Sequence, residues 1–298
     1  MYELLIGLRY TRAKRRNGFI SFISLVSIAG IALGVAALII VLSVMNGFQE
    51  EVRNRILGMA SHITVTSPDN ALVNWQGAAQ TSSKNPHVLG AAPYVMGQGL
   101  FTNGNQVKGV LVRGVDPELE PKVSELADKM VAGSLGALRD GDFSVVLGWA
   151  LAQELGVSMG DKVTLITPQG QVTPAGLIPR LRQFTVAGVF KADYYAYDAG
   201  LALIHMRDAQ KLFRTGDAVT GVRIKTDNLY QAREIAREIN RSLPDLNVAD
   251  WSQENPTYFR AVEIEKRMMF IILTLIVAVA AFNLVSTLVM IVTDKQSD

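Results

Sequence analysis

The sequence lacks cysteine altogether and has only three histidines among its 298 residues. The absence of cysteine excludes disulfides, Cys-ligated zinc and thiol catalysis. His62, His87 and His205 are scattered and lack the spacing of metal ligands. No G-x-S-x-G motif occurs, and the glycines at 216 and 221 are not followed by the Lys-Ser/Thr pair of a phosphate-binding loop. We therefore expect no catalysis by this chain, no metal site and no cofactor.

Charge is also scarce, at 19% of the residues against 49% hydrophobic residues. The net charge of only +2 argues against a general nucleic-acid binder. The shortage of charge is concentrated in two runs. No charged residue lies between Arg16 and Glu50, and none occurs in 268–292.

Both uncharged runs have the length of membrane spans, with 27 residues in 19–45 and 25 residues in 268–292. A helix of the first run would be roughly 40 Å long at about 1.5 Å per residue, enough to cross a hydrocarbon layer of ~30 Å with tilt. A core helix of a soluble protein rarely stays uncharged for this length. A cleaved signal peptide is the alternative for the first run. Its apolar stretch is too long and no A-x-A-like site follows, so we expect a retained anchor.

The distribution of lysine and arginine predicts the orientation of the spans. Residues 1–18 carry five basic residues against Glu3, whereas Glu50 and Glu51 open the other side of the first span. The N-terminus is therefore predicted to be cytoplasmic. The predicted division is a cytoplasmic segment 1–18, a span 19–46, an outer domain 47–266, a second span 267–293 and a cytoplasmic segment 294–298.

The first span contains Gly30 and Gly34 as a G-x-x-x-G motif. Small residues at this spacing let a second helix approach closely, although spans are also enriched in glycine and alanine without such a contact. Asn283 is the strongest polar group of the second span, and we expect it to face protein rather than lipid. We expect these three residues to pack helices together.

The outer region alternates short strands and helices, which predicts an α+β fold. Strand 63–66, a helical stretch 72–82 and strand 88–95 recur in similar order as strand 222–226, helix 229–242 and strand 247–251. The middle segment, about 116–217, is predicted to be an inserted second lobe with strands at 143–147, 163–167, 184–190 and 201–205. Tyrosines and aspartates cluster at 193–198, where a hairpin turn with surface aromatics is favoured over a ligand site.

A connection of about sixteen residues joins the strands predicted at 163–167 and 184–190, far longer than the usual hairpin loop. Pro168, Pro174 and Pro179 stiffen it and remove backbone donors, so it is predicted to stay outside a sheet. Leu177 and Ile178 would then be apolar residues at an exposed tip. A stiff protruding loop loses less entropy when it docks, which favours a partner-binding loop over a flexible connection.

Separated motifs resemble one known family. These are IGLRY at 6–10, LSVMNGF at 42–48 and FNLVSTLVM at 282–290, followed by Asp294, Lys295 and Gln296. Together they resemble the LolC/LolE transmembrane subunits of the lipoprotein-releasing ABC transporter, within the wider MacB/FtsX-like permease group. The resemblance implies two transmembrane helices flanking a two-lobed periplasmic domain with a MacB-like core. That arrangement is the first half of a four-span permease, so we expect a truncated chain.

The resemblance also implies partners and sites. One pattern is similar to the LolC-type hook that recruits a LolA-like periplasmic chaperone, and it consists of Thr173, Pro174, Gly176, Ile178, Pro179 and Arg182. A LolF-like protein, which combines both roles in a homodimer, is an open alternative. Arg180 and Arg182 would lie at or beside the chaperone contact, and Pro168 and Leu177 belong to the same predicted hook. ATP would be hydrolysed by a separate LolD-like subunit, and a second LolC/LolE-like permease subunit would complete the transporter in a Gram-negative inner membrane.

The resemblance further implies that lipoprotein acyl chains enter, from the outer leaflet, a cavity lined by the first and second spans of two subunits. Four large apolar residues at the outer ends of the spans suit contact with lipid or cargo, because flexible methionines adapt to varied chains: Met45, Phe48, Met268 and Met269. Plain interfacial packing is an equal alternative. Two other classes fit the same hydropathy, a two-span sensory receptor and a MacB/FtsX-like mechanotransmission protein.

Overall fold

The computed structural model describes residues 18–57, 61–173, 176–254 and 256–296. The helices of these residues are α1 Gly18–Leu57, α2 Trp75–Ser82, α3 Trp149–Leu155, α4 Tyr195–Gly200, α5 Met206–Phe213, α6 Ala232–Ser242, α7 Trp251–Glu254 and α8 Pro256–Gln296. The strands are β1 Ile63–Thr66, β2 Val88–Asn103, β3 Gln106–Val115, β4 Met130–Gly133, β5 Ser144–Gly148, β6 Lys162–Thr173, β7 Gly176–Phe190, β8 Leu201–His205, β9 Gly221–Thr226 and β10 Asn247–Asp250. The expected mixture of helices and strands between two long apolar helices is therefore confirmed.

The chain divides into two compact units, Met1–Glu50 with Thr257–Asp298, and Glu51–Pro256. In the first unit, α1 and α8 each contain a stretch long and apolar enough to cross a membrane, Leu25–Gly47 and Arg260–Ser286. Helix α1 continues beyond its apolar stretch to Leu57. The proposed boundaries of the cytoplasmic, spanning and outer segments stay predictions.

Six strands of the second unit form a closed ring. Around the ring, β2 pairs with β3, β3 with β8, β8 with β5, β5 with β7, β7 with β6, and β6 again with β2. The barrel core holds Phe101 and Phe184, whose ring centroids are 6.2 Å apart in an edge-to-face arrangement. A closed ring leaves no free strand edge around its wall.

The barrel is extended by further strands on one side. Strand β9 pairs with the first half of β2, and β1 lies between β9 and β10. Helix α6 covers this extension because its buried residues, Ala232, Ile235, Ala236 and Ile239, fall on one helical face at spacings of three and four. Because β2 and β3 also belong to the barrel, the ring includes residues outside 116–217, and the division into two lobes stays a prediction.

The structure corrects the prediction for the cluster at 193–198. It was predicted as a hairpin turn, but β7 and β8 are not paired with each other, and helix α4 connects them. The buried carboxylate of Asp198 accepts the Ala192 backbone N–H at 2.7 Å, which fixes the start of this connection. Tyr195 is 72% exposed and its hydroxyl donates to Glu154 at 3.1 Å, so an aromatic side chain does lie at the surface.

One histidine makes the stability of the β1–β9 extension depend on pH. His62 Nδ1 accepts the Thr226 backbone N–H at 3.2 Å. Burial, and next the positive charge of Lys225, lowers the pKa of His62 from 6.5 to about 4. The unfolded chain therefore binds a proton below pH 6.5 that the folded chain excludes. The contribution of neutral His62 to the free energy of unfolding is complete above pH 6.5 and is lost as the pH falls towards 4.

We expect the His62→Gln variant to lose less unfolding free energy than the parent between pH 7.5 and pH 5, measured by urea unfolding. His87→Gln is the matched control. Its imidazole lies 2.9 Å from Asp227 and is exposed, and the hydrogen bond to Asp227 raises the pKa of His87, so its removal changes the pH slope in the opposite direction. Equal pH slopes in the parent and in His62→Gln would contradict the role of His62.

Candidate functional site

The structure corrects the prediction of a long irregular loop, because this segment forms a long hairpin. Strands β6 and β7 pair from Lys162 opposite Thr185 to Thr173 opposite Gly176. The expectation that prolines keep this segment out of a sheet is wrong for a local reason. The register breaks between Thr167 and Gln171, and Pro168 and Pro179 fall at that break, where their missing N–H groups cost no ladder hydrogen bond.

The tip of the hairpin carries most of the predicted hook. Residues 174–175, including Pro174, lie outside the described residues, as do the side chains of 169–178. The backbone places Thr173 and Gly176 directly opposite each other, with Leu177 and Ile178 in β7. The hook therefore occupies the end of a paired ribbon rather than an irregular loop, and its role in partner binding stays a prediction.

Arg180 and Arg182 lie at the base of the hairpin, and both are held by specific contacts. The guanidinium carbon of Arg182 is 4.1 Å from the ring centroid of Phe143, a cation–π distance. Arg180 Nη1 donates to the Leu212 carbonyl at 3.3 Å. The two side chains therefore present positive charge from defined positions.

A third cation joins them. Lys211 and Leu212 of α5 line a cleft of about 190 Å³ together with Phe143, Arg180 and Arg182. Lys211 Nζ lies 2.6 Å from Asp140, and this hydrogen bond raises the pKa of Lys211, so it stays charged. We call Arg180, Arg182 and Lys211 the basic cluster. Sequence reasoning missed Lys211, because only the packing of α5 brings it beside the hairpin.

Two features place α5 and Phe143 at this cleft. Gly97 and Gly114 let α5 lie directly on β2 and β3, since a Cβ at either position would overlap Phe213 or Ala209. Asp208 of α5 is fully buried and accepts the backbone N–H groups of Gly141 at 2.9 Å and Phe143 at 3.3 Å. This carboxylate holds the turn that sets Phe143 under Arg182.

The predicted helix-packing glycines line a cleft within the membrane-helix unit. Gly30 and Gly34 line a cleft of about 260 Å³ with α8 residues that include Leu275 and Val279. Among the described residues, and apart from the adjoining backbone of α1 itself, no heavy atom lies within 4 Å of the Cβ position of either glycine. The side chain of Asn283 lies outside the described residues. Helix packing at these three positions stays a prediction.

The predicted contacts with lipid or cargo are only partly described. Met268 is 54% exposed, and Met45 and Met269 are half-buried. The side chain of Phe48 lies outside the described residues. In the part of the chain that the structure describes, no group of three or more His, Asp or Glu side chains could hold a metal ion.

Comparison with known proteins decides the family. Residues 24–242 match the MacB-like periplasmic core domain. The lipoprotein-releasing system transmembrane protein LolC of Neisseria meningitidis is 51% identical over 99% of this chain and 72% of its own length. This chain belongs to the LolC/LolE family.

Both branches of the LolC/LolE family align along the chain. LolE of Haemophilus influenzae is 33% identical over 98% of this chain and 71% of its own length. Among solved structures, the periplasmic region of MacB from Actinobacillus actinomycetemcomitans aligns at 12% identity with a TM-score of 0.43, covering 67% of this chain and 94% of that region. As a LolC/LolE family member, the chain is a membrane permease subunit of an ABC transporter with a MacB-like periplasmic domain.

Proposed function

We propose that this chain is the permease subunit that extracts lipoproteins from the inner membrane and hands them to a periplasmic chaperone. The observation that carries this proposal is 51% identity to a LolC protein over 99% of the chain, which includes both apolar helices and the outer domain. The N-terminus lies in the cytoplasm and the β-rich unit in the periplasm of a Gram-negative cell, in agreement with the charge bias of residues 1–18.

The energetic problem is the transfer of acyl chains through water. Exposing acyl chains costs about 0.8 kcal/mol for each methylene, so three chains cost tens of kcal/mol. The apolar ends of the spans, with Met45, Met268 and Met269, replace lipid for these chains. A LolD-like subunit hydrolyses ATP. A second LolC/LolE-like permease subunit, either another copy of this chain or a different family member, completes the cavity.

The hairpin β6–β7 is where the chaperone docks. Its tip supplies the hook, and the basic cluster at its base supplies fixed positive charge from Arg180, Arg182 and Lys211. Holding Arg182 on Phe143 and Arg180 on the Leu212 carbonyl reduces the entropy lost on docking. The chaperone surface that meets the basic cluster is expected to be acidic, so binding weakens as salt is raised.

Reconstitution tests the function. The protein is incorporated into proteoliposomes with its ATPase and second permease subunit and a lipoprotein carrying labelled acyl chains. We expect ATP to transfer the lipoprotein into the soluble fraction only when the LolA-like chaperone is present. Omission of ATP and omission of the chaperone are the two controls. ATP hydrolysis that leaves the lipoprotein in the membrane in every case would contradict the proposal and favour mechanotransmission.

A further inference from the structure

An apolar groove of about 820 Å³ lies on the outer wall of the barrel, at β2, β3 and β6. Leu100 and Leu111, each 44% exposed, line it with Gly109 and Ile166. Phe101 and Val112, which follow these leucines in their strands, point into the core and are buried. The groove is therefore built by the outward faces of the strands, beside the hairpin that carries the hook.

The chemistry of the lining is unusual for a surface. No residue described as lining the groove is charged, and its polar side chains are Gln98 and Thr167. Thr167 is 0% exposed and alternates with the buried Val163 and Leu165 along β6, so its side chain points into the core. The side chains that the groove exposes are therefore almost entirely apolar.

The closed barrel excludes one class of occupant. A peptide strand binds by pairing its backbone with a free sheet edge. In the groove, Leu100 pairs with Gly109 on one side and with Ile166 on the other, so both edges of β2 are taken at this residue. An unbranched hydrocarbon chain needs no such partners and gains about 0.8 kcal/mol for each methylene that leaves water.

Position links the groove to cargo transfer. Pro168 and Pro179 line it, and both belong to the predicted hook. We propose that this groove holds one fatty acyl chain of the lipoprotein during transfer to the chaperone. This inference rests on the proposed function and adds to it a holding site for cargo outside the membrane.

Photocrosslinking from the groove tests the proposal in the reconstituted transporter. Benzoylphenylalanine replaces Leu111, and in a matched control it replaces Val107. Val107 is 53% exposed on the same face of β3, about 13 Å along the strand, and does not line the groove. After illumination in the presence of ATP and a triacylated lipoprotein, mass spectrometry of the fragment with the benzoylphenylalanine identifies what is attached. We expect a fatty acyl adduct at 111, at least about tenfold more abundant than at 107.

Each other outcome has a distinct meaning. A cargo peptide or a segment of the second permease attached at 111, or acyl adducts of equal yield at both positions, would overturn the groove assignment. So would the absence of an adduct at 111 while ATP-dependent transfer to the chaperone continues. Loss of transfer in the unsubstituted transporter would overturn the proposed function itself, so the two failures are distinguishable.

Discussion

Replacement of Glu120 with alanine is expected to lower the free energy of unfolding of the outer domain by about 3–5 kcal/mol. Glu120 is 1% exposed and forms an ion pair with Arg223, which is 2% exposed. Arg113 is also buried, and burial, followed by the charge of Arg223, lowers the pKa of Arg113 to about 10. Without Glu120, two buried guanidinium groups would repel each other with no carboxylate between them.

Urea unfolding of the full chain in detergent measures this effect. Trp75, Trp149 and Trp251 are the three tryptophans of the sequence, and all lie within the unit Glu51–Pro256, so their fluorescence reports that unit. Glu118→Ala is the control, because it is the same change two residues away at an exposed position and should stay within about 0.5 kcal/mol of the parent. Equal unfolding midpoints for the two variants would show that the buried carboxylate does not balance the arginines.

This buried cluster illustrates where sequence reasoning stops. Formal charge predicts an exposed side chain, and nothing in the pattern around Arg113, Glu120 or Arg223 marks them as buried. Their burial follows from pairings between distant strands, since Arg223 lies in β9 and Arg113 in β3, which share β2 as a neighbour. Such pairings have no local signature.

Elements with a strong local pattern were predicted well. The strand at 201–205 has the predicted bounds, and α6 follows the periodic run that begins at Leu229. The hairpin β6–β7 was missed because its prolines normally indicate a loop, and only the register break at Thr167 makes them compatible with strands. The sequence predicts only part of the candidate docking site. Arg180 and Arg182 came from the family pattern, whereas Phe143 and Lys211 reach them only through the fold.

Removal of the hairpin tip is expected to abolish chaperone binding. The change replaces residues 171–178 with a two-residue turn between Gly170 and Pro179, which removes the paired ribbon from Gln171 to Ile178 and leaves the barrel segment from Lys162 to Thr167 intact. The tip of the hook, from Gln171 to Ile178, would be lost, and the basic cluster would be kept. We expect capture of the immobilised LolA-like chaperone to fall at least about a hundredfold, since this is the loss of the central contact of an interface.

The design separates loss of the hook from loss of the fold. Detergent extraction from the membrane and the unfolding midpoint of tryptophan fluorescence should match the parent, because the barrel keeps its six paired strands. Lys211→Glu is the graded comparison. It leaves the hairpin whole and reverses one charge of the basic cluster, so it should weaken capture by about tenfold and change its salt dependence. Since the hook and the basic cluster are separate contacts on one hairpin, undiminished capture by the tip deletion would mean that the chaperone docks through the base alone.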